Sequence, residues 1–324
     1  MAHAQRTLVQ IVNQAQRELS LPVSTTIIGN TSDLTSQQML AFAQAEIEAL
    51  GRHDHAWTNL TFEYNLVVSP PLETTGDVTE NSAIITNIPD TSTLSANNFS
   101  VAGSYIPVGA RILSVDSATQ VTLTMRATGT QAGADLTFSQ DLYPEPSDFD
   151  RFINKTWWDR TNRWQLLGPL SPQMDQWHLS GIVAFGPRRF FRQIGPYANQ
   201  YRIWPAPAEL VNPLQLVFEY QTNARVRVSG SATSFAFLFA NDADIPLLDD
   251  RLIIMGMKWR FWAQKGFNWL SLRKEYDDAV SAYVARDGGS RTETLNREGP
   301  ISPLISSYNV QDGFFPGPTG PNTE

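Results

Sequence analysis

The chain contains no cysteine. Disulfides, thiolate metal sites and cysteine nucleophiles are excluded together. Histidine is scarce as well, with four in the sequence, so a Ser-His-Asp triad has few sources for its base. No Gly-x-Ser-x-Gly elbow and no glycine-rich phosphate loop occurs. Charged residues make up 17%, below the ~25% usual for soluble domains, and a surface with fewer charges suits one that partners cover. No apolar run approaches the ~20 residues that span a bilayer. The first residues, Met-Ala-His-Ala-Gln-Arg-Thr, lack the charged-then-apolar order of a secretory signal. No membrane anchor is expected, and synthesis in a cytoplasm is. The formal charge of −8 argues against a sequence-reading nucleic-acid binder, which carries a basic patch. It leaves room for a protein that merely surrounds DNA.

What is present suffices for a sizeable core: 42% hydrophobic residues over 324 positions, in one large domain or two. Leu8, Ile11, Val12, Ala15 and Leu19 recur at helical spacing, and Leu21-Pro22 ends that helix. Thr35 and Gln38 have capping-box spacing for a second helix through Met39, Ile47 and Leu50, with a stop at Gly51. Residues 57–68 alternate as a strand. From 74 to 139 the composition shifts to Thr, Ser, Ala, Val and Ile, without tryptophan, and short β patterns are punctuated by glycines. This reads as an inserted all-β domain. An antiparallel β region is expected through 201–204, 214–220 and 226–228. Asp249 and Asp250 then cap a helix that Gly266 breaks. Beyond 292 the prolines keep the chain extended. Ile301, Leu304, Ile305, Tyr308, Phe314 and Phe315 nevertheless make it apolar, as an arm that docks on a neighbour would be.

Aromatics and arginines concentrate in 143–177. Trp157, Trp158, Arg160 and Trp164 stand there, and Arg188-Arg189 follow. Large rigid rings and forked guanidiniums are the chemistry of interface or core anchors. Glu145, Asp148, Asp150 and Asp159 beside tryptophans would suit a glycosidase, yet Arg151, Lys155, Arg160 and Arg163 interleave them and suggest ion pairs instead. His53-Asp54-His55 could offer two metal ligands, but a third is not evident, and a turn at a helix end is the simpler reading. His178 stands alone and reads as packed or at an interface. No catalytic, cofactor-binding or metal residue is assigned, and no enzyme activity is expected.

Four segments, taken in order, carry a resemblance. They are Ala49-Leu50-Gly51-Arg52 with Trp57-Thr58; Tyr143-Pro144-Glu145-Pro146-Ser147-Asp148-Phe149-Asp150-Arg151 running on to Trp157-Trp158-Asp159-Arg160; Tyr201-Arg202-Ile203-Trp204-Pro205-Ala206-Pro207; and the late helix followed by the arm. The chain resembles the head-to-tail adaptor (connector, tail tubular protein A-like) proteins of short-tailed bacteriophages. The fold then expected is α+β: a helical bundle body with an antiparallel β region over 1–73 and 140–291, the all-β insert over 74–139, and an extended C-terminal arm over 292–324. The resemblance implies a virion protein of the neck or tail, made in the host cytoplasm. It would form a ring, commonly of about twelve copies, between the portal and the tail nozzle or tube. Double-stranded DNA would pass through it without specific contacts during ejection. The arm would dock on the portal; the insert departs from the plainest adaptors, and capsid, fibre and host are its open partners. The alternative expectation is a virion-associated host-adhesion protein, or a cell-wall-active tail protein that binds or hydrolyses glycan.

Overall fold

The computed structural model describes residues 6–30, 32–68, 70–180, 189–194, 200–207 and 214–287. In chain order the elements are α1 (Leu8–Glu18), α2 (Leu34–Gly51), β1 (Thr61–Val68), β2 (Leu72–Val78), β3 (Ile84–Thr86), β4 (Phe99–Gly103), β5 (Ile112–Ser117), β6 (Gln120–Leu123), β7 (Gln131–Gln140), β8 (Leu142–Pro144), β9 (Phe149–Phe152), β10 (Trp158–Asp159) and β11 (Trp164–Gln165). There follow α3 (Pro172–Leu179), β12 (Phe190–Ile194), β13 (Gln200–Trp204), β14 (Leu214–Thr222), β15 (Val226–Arg227), β16 (Phe235–Ala236), β17 (Ile245–Pro246), α4 (Asp250–Lys265) and α5 (Leu270–Arg286).

The expected helical bundle body is not what forms. Among the described residues 31% are strand and 28% helix, in five α-helices and four antiparallel sheets, so the chain is mostly β. The reason lies in the stretch from Leu142 to Pro246. Its aromatic and β-branched residues favour pleated backbone, and its described residues supply ten strands and one short helix, α3. One sheet runs β1-β14-β10-β11 with β9 also on β14. The others run β12-β13-β8, β16-β15-β17 and β4-β7-β2-β3-β6-β5.

The described residues divide into two compact units. One holds those up to Tyr64, then 146–154, then those from Phe218 onward; the other holds 65–145 and the described part of 155–217. The chain crosses between them inside β1 and inside β14.

In the first unit α1, α2, α4 and α5 bury one shared core, with Leu8, Ile11, Met39, Ile47, Ile253 and Met257 almost fully enclosed. The start of α1 has amide groups with no partner inside the helix. Leu8 and Val9 donate theirs to the carbonyls of Asp244 and Asp242, at 2.8 and 3.1 Å. Helix α2 starts before the expected Thr35: Asp33 is its cap, accepting from the Thr35 amide at 2.9 Å. Asp249 caps α4, and Gly266 ends it with φ of 76°. Where α4 crosses α2, Gly256 leaves room for Glu46; a Cβ there would lie 2.1 Å from the Glu46 carboxyl carbon. That carboxylate has no exposed surface and accepts from Arg260 Nε at 2.8 Å.

In the second unit the six-stranded sheet has its own core. Ala134, Leu136 and Phe138 point inward at alternate positions of β7, beside Val101, Ile112 and Val121. The sheet β12-β13-β8 pairs Arg192 with Arg202 and Tyr201 with Tyr143. Helix α3 is capped by Ser171, whose hydroxyl accepts from the Met174 amide at 3.3 Å, with Pro172 in its first turn.

Candidate interaction surface

The residues singled out as anchors separate into different roles. Trp157 has no exposed surface; its ring stacks on Phe191 at 4.5 Å and meets Tyr201 edge-on at 4.9 Å. It is a core anchor of the second unit. Trp158 is half-buried in β10, opposite Gln165 and Val217. Trp164 is half-buried in β11, opposite Asp159. Arg160 is exposed, and its amide donates to the Gln215 carbonyl at 2.8 Å. Arg189 pairs with the buried Asp159 at 3.1 Å. Arg188 lies outside the described residues, as do Ile301, Leu304, Ile305, Tyr308, Phe314 and Phe315.

The acidic residues serve local structure. Asp148 accepts from the Tyr220 hydroxyl at 2.9 Å and the Thr222 hydroxyl at 2.7 Å. Asp159 accepts from both the backbone and side-chain nitrogens of Asn162 at 3.0 Å. Burial raises the Glu145 carboxyl above its usual range, against a hydrogen bond from Gln193. Asp150 acts on the buried Arg225, whose guanidinium burial pushes below its ordinary value.

The His53-Asp54-His55 segment is a braced turn. Arg151 Nη2 donates to the carbonyls of His53 and His55 at 2.9 and 3.0 Å. His55 Nε2 and the Thr58 amide both contact Asp287 Oδ2, at 2.8 and 2.9 Å, which fixes the point where α5 hands on to the following chain. Among the described residues no group of three His, Cys, Asp or Glu could hold a metal. None of their helices is long and apolar enough to cross a membrane.

Sequence reasoning missed a buried ion-pair network in the second unit. Arg192 and Arg202 face each other across β12 and β13, an arrangement that is unfavourable for like charges. Asp175 of α3, 1% exposed, sits against both; it pairs with Arg192 and lies 3.2 Å from Arg202. Arg202 also reaches Asp141, at 3.7 Å, and Arg111 pairs with Asp141 at 2.8 Å. Asp141 is fully enclosed, and burial lifts its carboxyl from 3.8 to about 6 although Arg111 and Arg202 pull the other way. A local trace existed: Arg192 and Arg202 stand in otherwise uncharged strand segments, where an inward charge needs a partner.

The network decides what the protein shows to solvent. Because α3 turns Asp175 inward, along with the 5%-exposed His178, it turns Met174 and Trp177 outward, at 45% and 44% exposure. The helix thus buries its Asp175 and His178 and exposes Met174 and Trp177 alongside Gln173 and Gln176. Tyr105, Val108, Phe267 and Leu270 are further large side chains left exposed.

Comparison with family models and with curated proteins finds no match to the chain.

Proposed function

We propose that the chain is a structural virion protein, a head-to-tail adaptor that forms a ring between the portal and the tail nozzle or tube and surrounds the DNA exit channel. The observation that carries this reading is the inverted helix α3. Ionic groups that could do chemistry are turned into the protein, and tryptophan and methionine are turned out, where surfaces of other subunits can cover them. The order of the aromatic motifs, with its resemblance to the adaptor group, supplies the particular assembly. A net charge of −8 suits a ring through which a polyanion passes, because phosphate attraction is the main source of non-specific retention. The apolar residues of 301–315 would dock on the portal.

Negative-stain imaging of the purified protein, alone and with the portal of the same particle, tests the reading. Rings seated on the portal are expected. A chain that ignores the portal overturns the proposal. Removing 292–324 is expected to abolish portal binding while the rest stays folded; retained binding removes the arm from the scheme.

A further inference from the structure

The turn that carries His55 meets the end of α5 at one carboxyl group. Asp287 closes that helix. Its amide donates to the Tyr283 carbonyl at 3.0 Å, and its main chain is extended, with φ of −73° and ψ of 133°. Oδ2 of its side chain takes His55 Nε2 at 2.8 Å and the Thr58 amide at 2.9 Å. The turn that supplies both donors is itself held. The His55 ring lies edge-on to Trp57 at 4.9 Å, and the Trp57 indole nitrogen donates to the Leu50 carbonyl at 2.8 Å. Arg151 grips the carbonyls of His53 and His55. The side chains of His55 and Asp287 are 23% and 19% exposed, so water reaches the pair.

The next residue in the sequence is Gly288. An Asp-Gly step carries a reactivity of its own, because glycine has no side chain to obstruct attack by its nitrogen. That nitrogen can bond to the Asp287 carboxyl carbon. The nitrogen's proton and the carboxyl hydroxyl leave as one water, and a cyclic imide closes. One water then opens the imide. Addition at the side-chain carbonyl restores aspartate. Addition at the main-chain carbonyl leaves isoaspartate, with the chain now running through the side chain and lengthened by a methylene. Water is lost and regained, and no oxidant, cofactor or second protein enters.

We infer that Asp287 is a latent isoaspartate site, which the grip of His55 and Thr58 holds shut in the folded chain. Ring closure needs the following nitrogen swung toward the Asp287 side chain. At ψ of 133° that nitrogen is rotated well away from Cβ. Bringing the two together moves the carboxyl group off its donors, so closure waits on a local opening in which both hydrogen bonds break. The inference stands apart from the adaptor reading. It concerns the residue at which the chain leaves α5, whatever 288–324 goes on to do.

The test warms the full-length protein for weeks in neutral buffer, folded or unfolded in guanidinium chloride. Cleavage after Lys274 then releases one peptide, 275–324, which carries Asp287-Gly288 and Asp312-Gly313, the two Asp-Gly steps of the sequence. Electron-transfer fragmentation in a mass spectrometer counts isoaspartate at each. Both sites are expected to convert in the unfolded chain. In the folded chain Asp287 is expected to convert about tenfold more slowly than it does unfolded, the effect of hydrogen bonds that must open first. His55→Phe keeps a ring against Trp57 and removes the donor, and is expected to restore most of the lost rate. His55→Gln keeps a donor and is expected to stay slow, with circular dichroism checking that both variants fold. A folded rate at Asp287 equal to the unfolded one overturns the inference. So does a slow folded rate that His55→Phe leaves unchanged, because the grip would then not be what holds the site shut.

Discussion

Replacing Asp141 by asparagine asks which of two opposing effects governs the buried network. Burial favours the neutral acid; Arg111 at 2.8 Å and Arg202 at 3.7 Å favour the carboxylate. Burial prevails, and the folded-state value rises from 3.8 to about 6. A group raised in this way contributes stability that is fully present below the unfolded value, near 3.8, and is lost as pH climbs through about 6. Two pKa units correspond to roughly 3 kcal/mol. The asparagine side chain does not titrate and is close in shape to the protonated acid. The variant should therefore start near parity with the native chain at about pH 4 and gain roughly 3 kcal/mol relative to it by about pH 7. Urea denaturation across that range, followed by far-ultraviolet circular dichroism, measures the difference, and other titrating groups cancel in it. A relative stability that stays flat, or that falls as pH rises, would show that the two guanidiniums hold the folded carboxyl at or below its ordinary value. That result would refute the reasoning.

Three further outcomes are expected. Trp157→Ala removes a side chain with no exposed surface from between Phe191 and Tyr201 and should cost about 3–5 kcal/mol in the same assay. Gly256→Ala forces a Cβ to within 2.1 Å of the enclosed Glu46 carboxyl carbon; a loss of about 1–3 kcal/mol is expected, visible as a lowered melting temperature by circular dichroism. Asp242→Ala strips the acceptor from the Ile27 and Ile28 amides, held at 3.1 and 2.8 Å. It should cost about 1–3 kcal/mol, and those two amides should exchange their hydrogens faster.

The helices with a broad apolar stripe were legible because that stripe is written within each segment. Leu8, Ile11, Val12 and Ala15 give α1, and Asp249 with Gly266 bracket α4 as the sequence suggests. The start of α2 was misplaced by a short distance because Thr35 has the right spacing to Gln38, while Asp33 is the acceptor actually used. Helix α3 was not legible at all. Its rotation is set by Asp175 meeting arginines from two strands, so its apolar residues face outward and give no core-facing period. The two-residue strands β10, β11, β15, β16 and β17 are too short for any period. The network itself joins Arg111, Asp141 and Arg202, which are far apart in sequence, and only the fold brings them together. The bundle expectation failed because strong helical periodicity at 8–51 and 250–286 was extended over a middle that pairs as strands. For Trp157 both an interface and a core reading were open, and its enclosure decides for the core.

The split first unit has a consequence for how the chain is made. Helices α1 and α2 bury their apolar faces against α4, which begins about 200 residues after α2 ends. At about 5–20 residues per second, a ribosome would deliver that partner roughly 10–40 s after the first two helices emerge. The six-stranded sheet, whose strands all lie between Leu72 and Gln140, has its full complement much sooner. A nascent chain would thus carry a finished sheet beside an open helical face, and a translation product that stops short of α4 would keep that face open. Closure of the helical core thus waits on the synthesis of α4, and a chain that stops before it is marked by its own exposed leucines and isoleucines.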